Sequence, residues 1–320
     1  MKSTAFVVYN HTVMNAMYGK SAGSPYDTRP IDSATVILVR NRDRGDFEIF
    51  LMKRHSGQDF MGGAYVFPGG KVESSDRDED LFRMAPGLSP RDAMEALRET
   101  DISPEKALGI FFAALRETFE EAGVLTARNA NGETVGFENE LDSDKFSDYR
   151  LRIYNNEISL HEMAQRENIT YAPELLIPYS HWITPAIESK RFDTRFLLAK
   201  MLKGQEPVHC SIEMTKSVWL TPASALEKHV EGSILLMPPT LKTVEELDRF
   251  QNIDELFKSA ENNDIPVILP QPFIFEGGFG VKLPHDPEYT IEEYKLPPDS
   301  DDGPSRIVLI DGKWSTARFD

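Results

Sequence analysis

Only one cysteine, Cys210, occurs in the 320 residues. No disulfide can therefore close within the chain, and no Cys-x-x-Cys pair exists to hold structural zinc. The seven histidines show neither HxxxH nor HExxH spacing, which argues against catalytic zinc. Long hydrophobic runs are also missing. The longest, Ala107–Leu115, is interrupted by Gly109 and falls far short of the ~20 apolar residues that span a bilayer. The opening MKSTAFVVYN carries one lysine and no sustained apolar stretch, which predicts no secretory signal. The closing Ala-Arg-Phe-Asp is not a peroxisomal address. Positive charge is scarce: 35 Lys and Arg face 52 Asp and Glu, a formal net charge of −17. Such a surface repels phosphate backbones and anionic lipid, so neither nucleic acid nor membrane is expected as a partner. A cytoplasmic protein is the expectation, and an anionic small molecule would need a metal or a local basic patch.

What is present is globular. Hydrophobic residues make up 40% of the chain, aromatics 10% and charged residues 27%, enough apolar material for a sizeable core. Ala34–Arg40 and Phe47–Lys53 read as strands rich in β-branched and aromatic residues, with Gly45 between them suited to a hairpin loop. A glycine-dense stretch, GGAYVFPGG at Gly62–Gly70, brings backbone close to something. Ser89-Pro90 and Ser103-Pro104 each pair an N-cap serine with a proline at N1. They predict a short helix over Pro90–Glu99 and a longer one from Pro104 that stops at Gly123. Asn131-Gly132 marks a hairpin turn. Ser143–Glu167 and Thr243–Glu261 read as helices, Thr194–Ala199 and Val208–Leu220 as strands. Pro222 opens another short helix through Val230. From Asn262 the proline-dense chain reads as an extended, wrapping segment, with an Asp-Gly hairpin signal at Asp311-Gly312 and a glycine-rich turn at Gly277–Gly280.

The chemistry concentrates in Arg116-Glu117-Thr118-Phe119-Glu120-Glu121-Ala122-Gly123-Val124. Placed on a helix, Phe111, Phe112, Leu115, Phe119 and Ala122 share one arc, and Glu117, Glu120 and Glu121 share the opposite one. Like charges so close repel, and a hard divalent cation with oxygen ligands removes that repulsion. Taken alone, three glutamates on a helix of so acidic a chain more often mark a solvated face. The same five letters, ALRET, open this string at Ala114 and occur earlier at Ala96–Thr100, where no Glu-Glu or glycine follows.

The whole string, with Phe67-Pro68-Gly69-Gly70 and Lys71-Val72-Glu73 upstream, resembles the signature of the Nudix hydrolases, G-x5-E-x7-R-E-U-x-E-E-x-G-U, where U is aliphatic. Three departures stand out. Asp76 occupies the position of the first family glutamate, Thr118 stands at an aliphatic position, and thirty-nine residues separate Asp76 from Arg116 where the family has seven. That insertion resembles the branch containing the peroxisomal coenzyme A diphosphatases. So do Lys53-Arg54-His55-Ser56, the run Phe60–Gly70 and Arg191-Phe192-Asp193-Thr194-Arg195-Phe196. The resemblance covers Asp32–Val230.

The resemblance implies an α/β Nudix fold, a mixed sheet sandwiched between helices, with a helical insertion and a C-terminal extension. An N-terminal segment would span 1–31, the Nudix domain 32–240 with its insertion at about 77–106, and a C-terminal helix and proline-rich extension 241–320. It implies Mg²⁺ or Mn²⁺ held by Glu117, Glu120 and Glu121, with the Gly69 carbonyl and Glu213 as further candidates and Glu188 behind them. Glu117 and Glu120 are candidates for the catalytic base, and Arg116 for orienting a catalytic glutamate. Lys53, Arg54, Lys190 and Arg191 are basic islands that could hold substrate phosphates. The implied reaction is hydrolysis of the pyrophosphate in a nucleoside diphosphate derivative. Coenzyme A or acyl-CoA comes first, giving 3′,5′-ADP and (acyl-)phosphopantetheine. ADP-ribose or a dinucleotide comes next, and a catalytically silent nucleotide sensor or interaction module stands as the alternative from another class. Many family members are dimers, so a homodimer is open. The ends of the insertion, near Asp76 and Pro104, should lie close together.

Overall fold

The computed structural model describes residues 29–57, 61–137, 139–297 and 303–318. Most of the expected N-terminal segment, residues 1–28, and Phe60 of the glycine-rich run lie outside the described residues.

An eight-stranded mixed sheet organises the chain. Its main path runs β10 (Val267–Ile268), β7 (Ile177–Ile183), β8 (Phe192–Lys200), β1 (Ile31–Asn41), β2 (Phe47–Arg54) and β3 (Tyr65–Val66). β1 is the hinge of this layout. It runs parallel to β8 along its length, pairs through Val39–Asn41 with β2, and pairs through Ser33–Thr35 with the short β4 (Gly69–Lys71). β9 (Met214–Leu220) adds to the other side of β2. The split of β1 between β2 and β4 opens the sheet where the glycine turn enters.

Period-2 alternation along β1 buries both faces. Ala34, Val36 and Leu38 join the core under α3 (Pro104–Ala122), together with Phe111, Phe112, Leu115 and Phe119. Ile37 and Val39 face the opposite core, with Leu241 and Val244 of α7 (Pro238–Leu247) and Leu256 of α8 (Ile253–Asn262). The expected sandwich of sheet between helices is therefore present.

Helix starts follow the serine-proline steps, and Thr221-Pro222 likewise opens α6 (Pro222–Glu231). Ser89 and Asp92 cap α2 (Pro90–Leu97) reciprocally, and Ser103 accepts from the Lys106 amide at the head of α3. Gly123, at φ 70°, ends α3, a left-handed conformation that costs glycine little. The Gly45 loop, the Asn131-Gly132 turn and the Asp311-Gly312 hairpin also form, each with its glycine at positive φ.

Two long elements divide where the sequence suggests continuity, and a third is shortened. Ser143–Glu167 is two helices, α4 (Glu140–Tyr154) and α5 (Leu160–Glu167), parted at Asn155-Asn156 with Asn156 at φ 57°. The second begins at a fresh Ser159–Glu162 capping box. Thr243–Glu261 is divided into α7 and α8, whose new start is the Asn252 cap. Val208–Leu220 is extended into a ladder only from Met214.

The segment after Asn262 is more than a wrapping tail. Gln271–Phe275, Gly278–Lys282, Arg306–Ile310 and Lys313–Ala317 form a four-stranded antiparallel sheet, β11 to β14. Its Phe279, Val281, Ile307, Leu309 and Trp314 are buried in the same core as α7 and α8. Alternating apolar residues between the prolines explain this: each strand buries one face, and the prolines fall at its ends or on the edge strand.

The insertion closes on itself. Arg77 and Lys106, at its two ends, both reach Asp32, at 3.3 and 2.8 Å. Between them lie α1 (Glu79–Phe82) and α2. The earlier ALRET copy ends α2, and its Glu99 binds Arg195 through two hydrogen bonds of 2.8 and 2.6 Å. Arg195, 3% exposed, also meets Asp32 and Asp193, each at 3.1 Å. Strand alternation thus gives Arg191–Phe196 two jobs. Arg195 fastens the insertion through Glu99 and is braced by Asp193, while Phe192, Thr194 and Phe196 face a cavity. Among the described residues no helix is long and apolar enough to cross a membrane.

Candidate active site

The glycine turn and α3 meet over the split in β1. Pro68 carbonyl accepts from the Val36 amide at 2.8 Å, and β4 then lies so close to β1 that a Cβ on Gly69 would strike Ala34 and Thr35. A Cβ on Gly70 would overlap the Glu117 carboxylate. Glycine at these two places is demanded by approach, not by φ. Gly70→Ala is expected to push Glu117 aside and lower kcat/KM by about 10²-fold, the scale for an ångström-level misplacement, with a small change in melting temperature. Steady-state kinetics beside thermal melts checks this.

Arg116 is the centre of the local electrostatics. Its Nε and Nη2 donate to the two Asp76 oxygens at 2.8 and 2.9 Å, Nη2 also donates to the Lys71 carbonyl, and Nη1 donates to Glu117 at 2.9 Å. A longer contact of 3.5 Å reaches Glu120. Burial disfavours the guanidinium charge, but the Asp76 hydrogen bonds and surrounding carboxylates outweigh it and raise its pKa. Asp76 is 1% exposed and is fixed by the Glu73 amide at 2.8 Å. The shorter acid at the family's glutamate position is accommodated by the tight turn Ser75–Arg77 beneath it. Thr118 is accommodated too, its hydroxyl donating to the Ala114 carbonyl at 2.7 Å.

The acidic arc of α3 is packed rather than solvated. Glu121 is 6% exposed and accepts from the Gly69 amide at 2.8 Å. Burial raises its carboxyl well above the usual range, and repulsion from Glu117 adds to this. Burial also raises Glu117 against the pull of Arg116, and lifts Glu120 to about 7. The expected convergence of the three glutamates is only partial. Among the described residues no group of three or more acidic, histidine or cysteine side chains is gathered closely enough to enclose a metal ion. Arg116 draws Glu117 and Glu120 one way, and the Gly69 amide holds Glu121 another. Gly69 meets this cluster through its N–H.

A cavity of about 580 Å³ extends from these carboxylates. Arg54, the last residue of β2, lines it with a buried Nε that has no hydrogen-bond partner among the described residues. Glu213 lines it from the turn before β9, not from the strand itself, and accepts from the Tyr154 hydroxyl at 3.1 Å. Burial, then Glu213, pushes the Tyr154 phenol up to about 12. Glu188 and Lys190 lie on the cavity wall further along.

Lys53 and Arg191 are not among the cavity's lining residues. The β2–β9 pairing is irregular between Lys53 and Arg54, and the Lys53 Nζ sits 6.0 Å from the centre of the Tyr65 ring. Arg191 instead donates from Nε to the Thr184 carbonyl at 2.9 Å. Sequence reasoning missed Tyr154 and the apolar walls Trp182, Phe192, Phe196 and Met237. The two phenylalanines were readable from their alternation in Arg191–Phe196; Tyr154 and Met237 carry no local signal.

A family model, the NUDT19 Nudix domain, matches residues 31–247. The chain belongs to this Nudix family. It is thus a Nudix hydrolase, and its Nudix match includes the insertion as well as both halves of the signature. Among curated proteins it is similar to the acyl-coenzyme A diphosphatase NUDT19 of Xenopus laevis, 28% identical over 86% of this chain and 83% of that protein. The Gallus gallus protein of the same name is 29% identical over 78% of this chain and 76% of its own length. Among solved structures, a Nudix hydrolase from Alicyclobacillus acidocaldarius superposes with a TM-score of 0.58 at 22% identity, over 75% of this chain and 99% of that one. That likeness carries the fold. Nudix hydrolases generally use divalent metal ions.

Proposed function

We propose that this Nudix hydrolase cleaves the pyrophosphate of coenzyme A or acyl-CoA, releasing 3′,5′-ADP and (acyl-)phosphopantetheine. The observation that carries this reading is the cavity. One end holds the buried carboxylates and Arg54, while Trp182, Phe192, Phe196 and Met237 supply apolar walls elsewhere. A pyrophosphate with a base on one side and a long, mostly neutral arm on the other has that mixed character. The names of the Xenopus and Gallus relatives point to the same substrates.

The donor chemistry, oxygen acids lining one cavity, suits a hard divalent ion, Mg²⁺ or Mn²⁺, although the side chains would have to draw closer to enclose it. Asp76, Glu117 and Glu120 surround one arginine and Glu121 is held apart by the Gly69 amide, with burial raising all three glutamates. This excess of buried oxygen acids is what such a cation neutralises. Glu117, Glu120 and Glu121 would hold it, with Glu213 close by. When bound, the ion supplies charge neutralisation at the phosphate oxygens and a more acidic water. The chain's own residues do the rest. Arg116 holds Glu117 in place, the Gly69 amide holds Glu121, and the orphaned Arg54 Nε offers a donor to a phosphate oxygen. Glu117 or Glu120 takes the attacking water's proton, as a base within one-water reach must. The lone Cys210 suits a reducing compartment such as the cytoplasm, and the charge of −17 suits a small-molecule partner over nucleic acid.

Hydrolysis of CoA, an acyl-CoA, ADP-ribose, NADH and a nucleoside triphosphate, with and without Mg²⁺ or Mn²⁺, tests the reading when products are identified by mass. Metal-dependent 3′,5′-ADP from the CoA compounds is expected. Turnover of ADP-ribose or NADH in their place would overturn the substrate and leave the chemistry intact.

A further inference from the structure

Glu188 is a buried acid that the hydrolytic chemistry does not use. It sits on the loop joining β7 to β8, 8% exposed, on the cavity wall. The loop is fixed at its neck. The Thr184 amide donates to the Phe192 carbonyl at 2.9 Å, the Phe192 amide donates to the Thr184 hydroxyl at 3.1 Å, and the Glu188 amide closes a turn onto Pro185. Burial alone lifts the Glu188 carboxyl to about 7, with no neighbouring charge or hydrogen bond contributing. A carboxyl left unpartnered in an apolar wall costs folding free energy. A ligand group that satisfies it would recover that loss.

Register locates the loop relative to the glycine turn. Thr35 faces both Gly69 and Phe196, whereas Phe192 pairs with Ile31. Four residues of strand, roughly 13 Å at about 3.3 Å each, thus separate the Gly69 level from the neck of the loop. That is comparable with the span of a nucleoside diphosphate from its phosphates to the far edge of its base. The same loop and the strand ends that carry it also put Trp182, Ile183, Pro185 and Phe192 on the cavity wall, beside Thr184 and Lys190, apolar surfaces suited to the faces of a flat heterocycle.

We propose that Glu188 reads the base of the substrate, its carboxyl pairing with the N6 amino group and N1 of adenine. The adenine edge presents one donor and one acceptor, which a protonated carboxyl complements as a carboxamide does. Guanine presents two adjacent donors there and is poorly matched. This assignment rests on the CoA reading above for the identity of the substrate, but it concerns only the base.

The test compares CoA with 1,N6-etheno-CoA, in which a bridge blocks N1 and N6 and leaves the pyrophosphate and arm untouched. The unmodified enzyme is expected to lose roughly 10- to 100-fold in kcat/KM on the etheno compound, mainly through KM. Glu188→Ala should lose a similar factor on CoA and cease to distinguish the two. Glu188→Gln, which keeps a donor and an acceptor, should recover most of the preference. Neither variant should melt at lower temperature, since the carboxyl has no partner among the described residues to lose. Equal use of both substrates by the unmodified enzyme would overturn the proposal. So would a Glu188→Ala enzyme that loses activity yet keeps its preference, which would place the carboxyl on the arm or the metal. Failure to hydrolyse CoA at all would defeat the substrate reading alone. Calorimetric binding of ADP against etheno-ADP then decides the base reading, with the same preference and the same loss in Glu188→Ala expected, and equal affinities overturning it.

Discussion

Glu121→Gln is expected to lower kcat/KM by about 10³-fold while leaving the protein at least as stable as the parent. The loss follows from removing a buried anionic ligand where phosphate charge must be neutralised, a contribution of several kcal/mol at about 1.4 kcal/mol per tenfold. The stability follows from the same geometry. Glu121 is 6% exposed, its carboxyl is raised by burial and by Glu117, and its one compensating bond is to the Gly69 amide. A glutamine carbonyl keeps that bond and removes the charge. In metal-free protein the folded state holds the Glu121 proton more tightly than the unfolded chain does. Above the unfolded carboxylate range this acid therefore opposes folding, and the amide relieves the opposition. Kinetics on CoA, with melting curves in chelator at neutral pH, measure both effects. A drop in activity with a matching drop in stability would mean that Glu121 is part of the scaffold.

Asp76→Ala has the opposite signature. Removing one partner of a buried ion pair destabilises by about 3–5 kcal/mol, because the other charge is left uncompensated. Here that charge is Arg116, which has two hydrogen bonds to Asp76. Denaturant unfolding should show the loss directly. Activity should fall with it, since Arg116 also positions Glu117. Combining Asp76→Ala with Arg116→Met removes the stranded guanidinium, and much of the stability should return. Activity should not, because Glu117 then has nothing to hold it. Full recovery of both in the double variant would contradict a positioning role for Arg116.

The sequence was most legible where local chemistry and tertiary structure agree. Serine-proline caps set the starts of α2 and α3, Gly123 ended α3, and Gly69 and Gly70 announced close approach before its object was visible. Asp76 was visible only as a departure from the family pattern. Its partnership with Arg116 crosses forty positions, and no local spacing encodes it. The acidic arc on α3 was legible in angle, while the choice between a solvated and a covered face was not, because β4 and the cavity wall that cover it come from distant segments. The C-terminal sheet was missed for a related reason. Prolines at strand ends and on the edge strand read as breaks, while the pairing that makes them strands is long-range. Glu188 was legible only as a minor metal-ligand candidate, because the loop from Thr184 to Phe192 that buries it on the cavity wall is set by the β7–β8 pairing.

The central claim is that the carboxylates of α3, held by Arg116 and the glycine turn, form a divalent-metal site. Titration of the purified protein with Mn²⁺, followed by electron paramagnetic resonance in the absence of substrate, addresses it most directly. Binding by the unmodified protein, weakened at least tenfold in Glu117→Gln and Glu121→Gln and little changed in Glu188→Gln, is the expected result. Equal Mn²⁺ affinity in all four proteins would contradict it.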